Sequence, residues 1–164
     1  MRVLGLDPGT HTTGYGAVER TGSRLRHLDN GLIVAKRAAP LEERLLHIAD
    51  RLDAIMAELN PAVVAIEDIF FSKNAQSALI LGHARGVALL AAARHGVAVI
   101  SYSPALVKKT VSGSGRAEKG QIQQMVRVLL GLPEVPAEDA ADALALAITH
   151  CHHDHTPAVK AALG

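Results

Sequence analysis

Aromatic residues are scarce in this chain: two Phe, two Tyr and no Trp among 164 residues. A core of that size must be aliphatic, and an aromatic on a loop stands out against it. Cysteine is almost missing as well. The lone Cys151 excludes an intramolecular disulfide and suits a reducing compartment, so a cytoplasmic location is expected. Apolar stretches read as too short and too often interrupted to span a bilayer, so no membrane is expected as a partner. Met1-Arg2 leads straight into a strand-like run, with no basic-plus-apolar leader. Charged residues make up 20% against 49% apolar ones, which excludes a disordered chain. No repeat, linker or low-complexity tract divides the sequence. One domain over residues 1–164 is expected, with residues after about 153 forming a short tail.

Acids are nearly absent from one long stretch. Between Phe71 and Arg127 stand Lys73, Arg85, Arg94, Lys108, Lys109, Arg116, Lys119 and Arg127, opposed only by Glu118, for a net charge of +7. The remainder holds nine basic and fifteen acidic residues, a net −6, so the overall +1 hides a strong asymmetry. A basic segment beside clustered acids suits an enzyme acting on a polyanion, with cations gripping phosphates while acids hold metal. Ordinary solvated surface charge gives the same count, so charge alone decides nothing.

Four acids stand in apolar company. Asp7 ends Val3-Leu4-Gly5-Leu6 and precedes a Pro8-Gly9 turn; Glu67 ends Val63-Val64-Ala65-Ile66. Asp139 and Asp142 lie in an Ala- and Leu-rich run from Ala137 to Leu146. A desolvated, unpaired carboxylate costs several kcal/mol, so acids in such settings need protons, cations or metal. Any one of them alone could be a cap or a surface group.

Periodicity supplies the frame. Strands are expected over 2–7, 14–20, 24–35, 62–67 and 97–101, with a hairpin turn at Thr21-Gly22. Leu41, Leu45, Ile48, Leu52, Ile55 and Leu59 alternate spacings of four and three, an amphipathic helix closed by Asn60-Pro61. Further helices are expected from Gln76 to His95, from a Ser103-Pro104 cap to about Val111, from Glu118 to Leu130, and from Ala137 to about His152. The order predicts a mixed α/β architecture with three hairpin strands first. Asp7 and Glu67 then meet at one sheet edge if their strands are neighbours. Asp139 and Asp142, at i and i+3, share a helix face opposite a stripe of Ala140, Leu144, Ala147 and Ile148. Four such oxygens suit a pair of hard divalent cations roughly 4 Å apart, the arrangement used for in-line phosphoryl displacement.

Several stretches resemble the RuvC family of Holliday-junction resolvases: Leu4 to Thr10, Thr13 to Gly16, Ala65 to Glu67, Lys73 to Ala78, Gly82 to Val87, Ala117 to Lys119, and Asp139 to Ala145. They occur in family order and cover nearly the whole chain. The resemblance implies a ribonuclease H-like fold, with a five-stranded mixed β-sheet flanked by α-helices. It implies a homodimer that binds four-way junction DNA and nicks two strands of like polarity symmetrically, leaving 5′-phosphate and 3′-hydroxyl ends. Asp7, Glu67, Asp139 and Asp142 match the family's catalytic, metal-binding acids, with Mg²⁺ or Mn²⁺ as cofactor. A branch-migration complex, a junction-binding protein plus a hexameric ATPase motor, is the implied partner. Phe70, Lys73, Arg85, Lys108 and Lys119 match as DNA-binding residues. By this resemblance Phe70 is expected to stack on an unpaired base at the junction centre, and Phe71 beside it is the better core candidate. The Ala-rich helix after Lys73 corresponds to the dimer interface.

Other readings stay open. A nuclease of the same fold could act on RNA–DNA hybrids or transposon ends, and a junction binder need not cut. The Asp7-Pro8-Gly9-Thr10 turn also resembles the phosphate loop of actin and sugar-kinase ATPases, which clamp ATP between two such domains. Asp68 is a fifth acid that strand alternation turns away from the metals. The run His150-Cys151-His152-His153-Asp154-His155 could ligate zinc on composition, or form a cationic helix end. The chain stops soon afterwards, without the basic tail of some family members.

Overall fold

The structure, a computed structural model, describes residues 1–68 and 74–153. Five strands, β1 (Arg2–Asp7), β2 (Thr12–Thr21), β3 (Arg24–Val34), β4 (Val63–Glu67) and β5 (Ala98–Tyr102), form one sheet in the order β3-β2-β1-β4-β5. The first three pair antiparallel, and β4 and β5 run parallel to β1. The helices are α1 (Leu41–Leu59), α2 (Ala75–Arg94), α3 (Pro104–Ser112), α4 (Lys119–Leu130) and α5 (Glu138–His153). This is the expected mixed sheet, with shifts at element ends. β2 begins at Thr12, because Thr12 and Thr13 already pair with Val34 and Ile33 of β3. The tight loop between β2 and β3 is Gly22-Ser23, one residue later than expected. Gly22, at φ +61°, supplies the left-handed first position that such a loop requires.

The sheet separates two cores. On one face Val3, Val18, Ala65 and Ile100 pack against α5, with Val107 and Val111 of α3 and Ile122 and Val126 of α4 closing over it. On the other, Leu4, Leu6, Ile33 and Ile66 pack against Ile48, Leu52 and Ile55 of α1 and Ala88, Ala91 and Ala92 of α2. Alternation along each strand therefore sends Val3, Gly5 and Asp7 to the α5 side and Leu4 and Leu6 to the α1–α2 side.

α5 departs from the expected single stripe. Ala140, Ala141 and every residue from Ala143 to Cys151 are buried, so the helix is buried all round, Thr149 and His150 included. It lies on β1 and β2 and is covered in turn by α3 and α4, and a helix sandwiched in this way has no solvent face to keep polar. Its close seat depends on three glycines. A Cβ at Gly5 would lie 1.8 Å from the Ala143 oxygen, one at Gly14 2.1 Å from the Asp139 oxygen, and one at Gly16 2.5 Å from Leu144 Cγ.

An 18-residue window of α2 has mean hydropathy 1.2, long and apolar enough to cross a membrane by length and composition alone. In the fold α2 docks on the sheet through Ala84, Ala88, Ala91 and Ala92, leaving Leu79, Ile80, Leu81, Leu89 and Leu90 exposed. Asn74 caps its start by accepting from the Gln76 and Ser77 amides.

Candidate active site

β1 and β4 are parallel neighbours in register from Val3–Val63 to Leu6–Ile66, so their last residues, Asp7 and Glu67, come side by side at one sheet edge. The turn after Asp7 is tied down by the buried Thr13, whose hydroxyl accepts from the Gly9 amide at 3.2 Å and donates to the Gly9 carbonyl at 2.9 Å. The first two turns of α5 supply Asp139 and Asp142 from above. The close contact at Gly14, the β2 partner of Asp7, brings Asp139 down onto that edge. Gln123 of α4 donates to the Pro136 carbonyl at 3.0 Å and fixes the approach to α5.

Three carboxylates converge. Asp7, Asp139 and Asp142 offer ligand oxygens that all lie within 4.8 Å of one another. Glu67 stands outside that group but lines the same cleft of about 310 Å³, together with Lys108 and Lys119 and an apolar wall of Val107, Ile122 and Leu146. The expected four-acid cluster is therefore three close acids and one at the rim, because β4 ends where the cleft opens and Glu67 is exposed.

Burial pushes the Asp7 carboxyl up to about 7, helped by the charges of Asp142, Asp139 and Glu67 and opposed by Lys119. Burial also raises Asp142 and Glu67; Asp142 adds to the rise at Glu67, and Lys108 and Lys119 restrain both. The site is thus short of positive charge. Oxygen-only donors so crowded fit a hard divalent cation better than the nitrogen- and sulfur-favouring zinc.

Lys119, the first residue of α4, donates to the Glu138 carboxylate across 19 residues of sequence, and that hydrogen bond raises its basicity. Sequence spacing held no signal for this pair. Lys108 projects from α3 into the same cleft.

Arg85 is placed differently from the lysines. Its guanidinium comes from α2 and donates to the Glu67 main-chain carbonyl and, at 2.8 Å, to Ser101 Oγ on β5. Asp68 is exposed; it does not line the cleft with the lysines but a smaller recess adjoining it, shared with Asp7, Pro8, Glu67, Leu81 and Arg85. Phe70, Phe71 and Lys73 lie outside the described residues. Among the described residues, the histidines near the end do not gather. His150 is buried with its Nδ1 2.8 Å from the Tyr102 hydroxyl, and His153 Nε2 lies 3.0 Å from Thr110 Oγ1. Among the described residues, Asp7, Asp139 and Asp142 form the metal-ligating cluster; Asp154 and His155 lie beyond them.

Residues 3–150 match the family described as crossover junction endodeoxyribonuclease RuvC. The chain belongs to the RuvC family. A RuvC from Syntrophotalea carbinolica is 56% identical over 155 residues, covering 94% of this chain and 96% of its own. One from Chloroflexus aggregans is 51% identical over 153 residues, covering 93% of each. The solved structure of Thermus thermophilus RuvC in complex with Holliday junction substrate superposes with a TM-score of 0.88 at 36% identity over 94% of each chain. The yeast mitochondrial Holliday junction resolvase, at 11% identity and a TM-score of 0.64, shares the fold alone. The fold is the ribonuclease H-like one that the motifs implied, and RuvC proteins are nucleases by name.

Proposed function

We propose that this chain is a divalent-metal-dependent endodeoxyribonuclease that resolves four-way Holliday junctions in recombination and repair. It nicks two strands of like polarity symmetrically and leaves ligatable 5′-phosphate and 3′-hydroxyl ends. The observation that carries the reading is the convergence of Asp7, Asp139 and Asp142 within 4.8 Å, in a chain of the RuvC family. These three, with Glu67 at the rim, are the residues to hold Mg²⁺ or Mn²⁺, and the cleft leaves room for a pair of ions. A cation bound there supplies Lewis-acid activation of water and of the phosphodiester. Asp7, whose carboxyl is pushed up to about 7 by burial and its acidic neighbours, would give up its proton to hold such a cation. Lys119 and Lys108 face the cleft from α4 and α3, placed to offset charge on the non-bridging phosphate oxygens. Val107, Ile122 and Leu146 exclude water from one side and strengthen those charges.

The wider assignment follows from the family. DNA is gripped by the +7 segment, with Phe70 stacking on a base at the junction centre and Lys73 on the backbone. The active form is a homodimer joined through α2, whose exposed leucines need a cover. It acts in the cytoplasm as one nuclease domain over residues 1–164, alongside a junction-binding protein and a hexameric branch-migration motor.

A cleavage assay on four-way junctions, linear duplexes and RNA–DNA hybrids, with Mg²⁺ or Mn²⁺, tests this. Paired cuts at symmetric positions in the junction are expected, with little cutting of the others. Equal cutting of duplex or hybrid would sink the junction reading. Asp7→Asn is expected to bind junctions with near-normal affinity and to cut them at least 100-fold more slowly, on the order of the loss of a metal ligand; normal cutting by that variant removes Asp7 from the site.

A further inference from the structure

We propose that Arg85 is a positioning residue for Glu67, clamping the end of β4 from beneath, and not a phosphate contact. The proposal rests on the reading of Glu67 as a metal-site acid and adds what holds that acid in place. Glu67 is where β4 loses its β1 neighbour. Its register with β1 ends one residue earlier, at Leu6–Ile66, so support remains only on the β5 side, where Glu67 pairs with Tyr102 and the Asp68 amide donates to the Tyr102 carbonyl at 2.8 Å. The Glu67 carbonyl at that loose end accepts from Arg85 Nη1, while Arg85 Nη2 donates to Ser101 Oγ at 2.8 Å. Since Ser101 stands beside Ile66 in the β4–β5 register, one planar guanidinium bridges the ends of two parallel strands. A fork of fixed geometry holds two acceptors at a set separation, which a lysine cannot do.

Direction separates this role from that of the lysines. Ala65 belongs to the core on the α5 side, and alternation places the Glu67 side chain on that side too. Arg85 reaches the strand from α2, on the opposite face, between the buried Ala84 and Ala88. The charges acting on the Glu67 carboxyl are those of Asp142, Lys108 and Lys119, which are across the sheet from the guanidinium. Nη1 and Nη2 each commit a donor to the sheet edge, and a DNA phosphate that drew this side chain away would break the bonds that hold it. Asp7 is fixed independently, by its pairing with Gly14 and by the Thr13–Gly9 turn. Arg85 therefore sets how far the rim acid stands from the three that converge, and ties that distance to the seat of α2.

The test uses the full chain with Arg85→Lys, Arg85→Ala and Ser101→Ala, the last at an exposed position. Three quantities are measured: Mn²⁺ binding to the protein alone by electron paramagnetic resonance, junction affinity across a salt series without divalent metal, and single-turnover cleavage across Mn²⁺ concentrations. Both Arg85 variants are expected to bind Mn²⁺ about tenfold more weakly, the usual effect of removing a partner that orients a ligand. Ser101→Ala should show a smaller loss of the same sign. Junction affinity and its salt slope should be unchanged, and excess Mn²⁺ should restore much of the cleavage rate. Intact Mn²⁺ binding, with weaker junction binding and a salt slope reduced by about one, would make Arg85 a phosphate contact and overturn the proposal. Unchanged Mn²⁺ binding in all variants also overturns it. If Arg85→Ala does not fold, Arg85→Lys, which keeps charge and stem, and Ser101→Ala decide the matter by the same criteria. A wild-type chain that binds no Mn²⁺ overturns the metal-site reading and this proposal with it, a result distinct from loss confined to the variants.

Discussion

Asp7 is an acid whose charge is opposed by almost everything around it, and this has a measurable consequence without metal. Its carboxyl titrates at about 7 in the folded chain against 3.8 ordinarily. Between those values the folded state binds more protons than the unfolded one, so its contribution to stability falls as pH rises from about 4 to about 7 and is level beyond. Glu67 and Asp142, raised by the same burial, push in the same direction. Allowing for solvent access and coupling, the effect at Asp7 is about 1–2 kcal/mol, or about 3–6 °C in Tm for a chain of this length. Metal-free Asp7→Asn is therefore expected to melt above wild type at pH 8, with the gap closing near pH 4. Millimolar Mg²⁺ should raise the melting point of wild type, most of all at high pH, and have little effect on the variant. Thermal scans at several pH values check this; parallel pH trends for the two proteins would show that Asp7 does not carry a raised pKa.

At the scale of elements, the site depends on how closely α5 can approach the sheet. Gly14→Ala puts a methyl group 2.1 Å from the Asp139 carbonyl oxygen, with backbone rather than a pliable side chain in its way. The helix start must lift. Overpacking of this kind costs about 1–3 kcal/mol, yet cleavage should fall much further, because Asp139 and Asp142 ride on the displaced turn. Melting temperature and cleavage rate measured together test this, and a variant that loses stability but cuts normally would separate the glycine from the site. Part of this arrangement is legible in the sequence. Acids closing apolar strands, and an i, i+3 pair in an Ala- and Leu-rich run, mark the site because desolvation leaves few alternatives. The all-round burial of α5 is not legible, since its cover comes from α3 and α4, and Ala-rich helices lack the contrast that defines a face. Glu138 beside Lys119, and Arg85 beneath Glu67, are pairings made by tertiary structure alone, between residues that sequence spacing never brings together. The place of Glu67 at the rim is a matter of where β4 stops relative to the opening of the cleft.

For the whole molecule, the issue is what covers α2. Leu79 and Leu90 are 65% and 51% exposed, three helical turns apart on one side, and a Cβ at Gly82 or Gly86 between them would meet nothing within 4 Å. Two leucines flanking two glycines form a surface that a second helix can approach closely. In the proposed homodimer that helix is α2 of another copy. A two-fold interface presents every substitution twice, so a single acid there faces its own image and an apolar partner. Leu79→Glu and Leu90→Glu are accordingly expected to shift the chain from twice 17.2 kDa to 17.2 kDa in analytical ultracentrifugation, with near-normal folding because neither side chain belongs to the core. Paired cutting of a junction needs two clefts on one particle. The monomeric variants should therefore lose symmetric double nicks more than they lose single ones. Wild type sedimenting at 17.2 kDa at micromolar concentration would leave the leucines uncovered and remove the physical basis for pairing through α2.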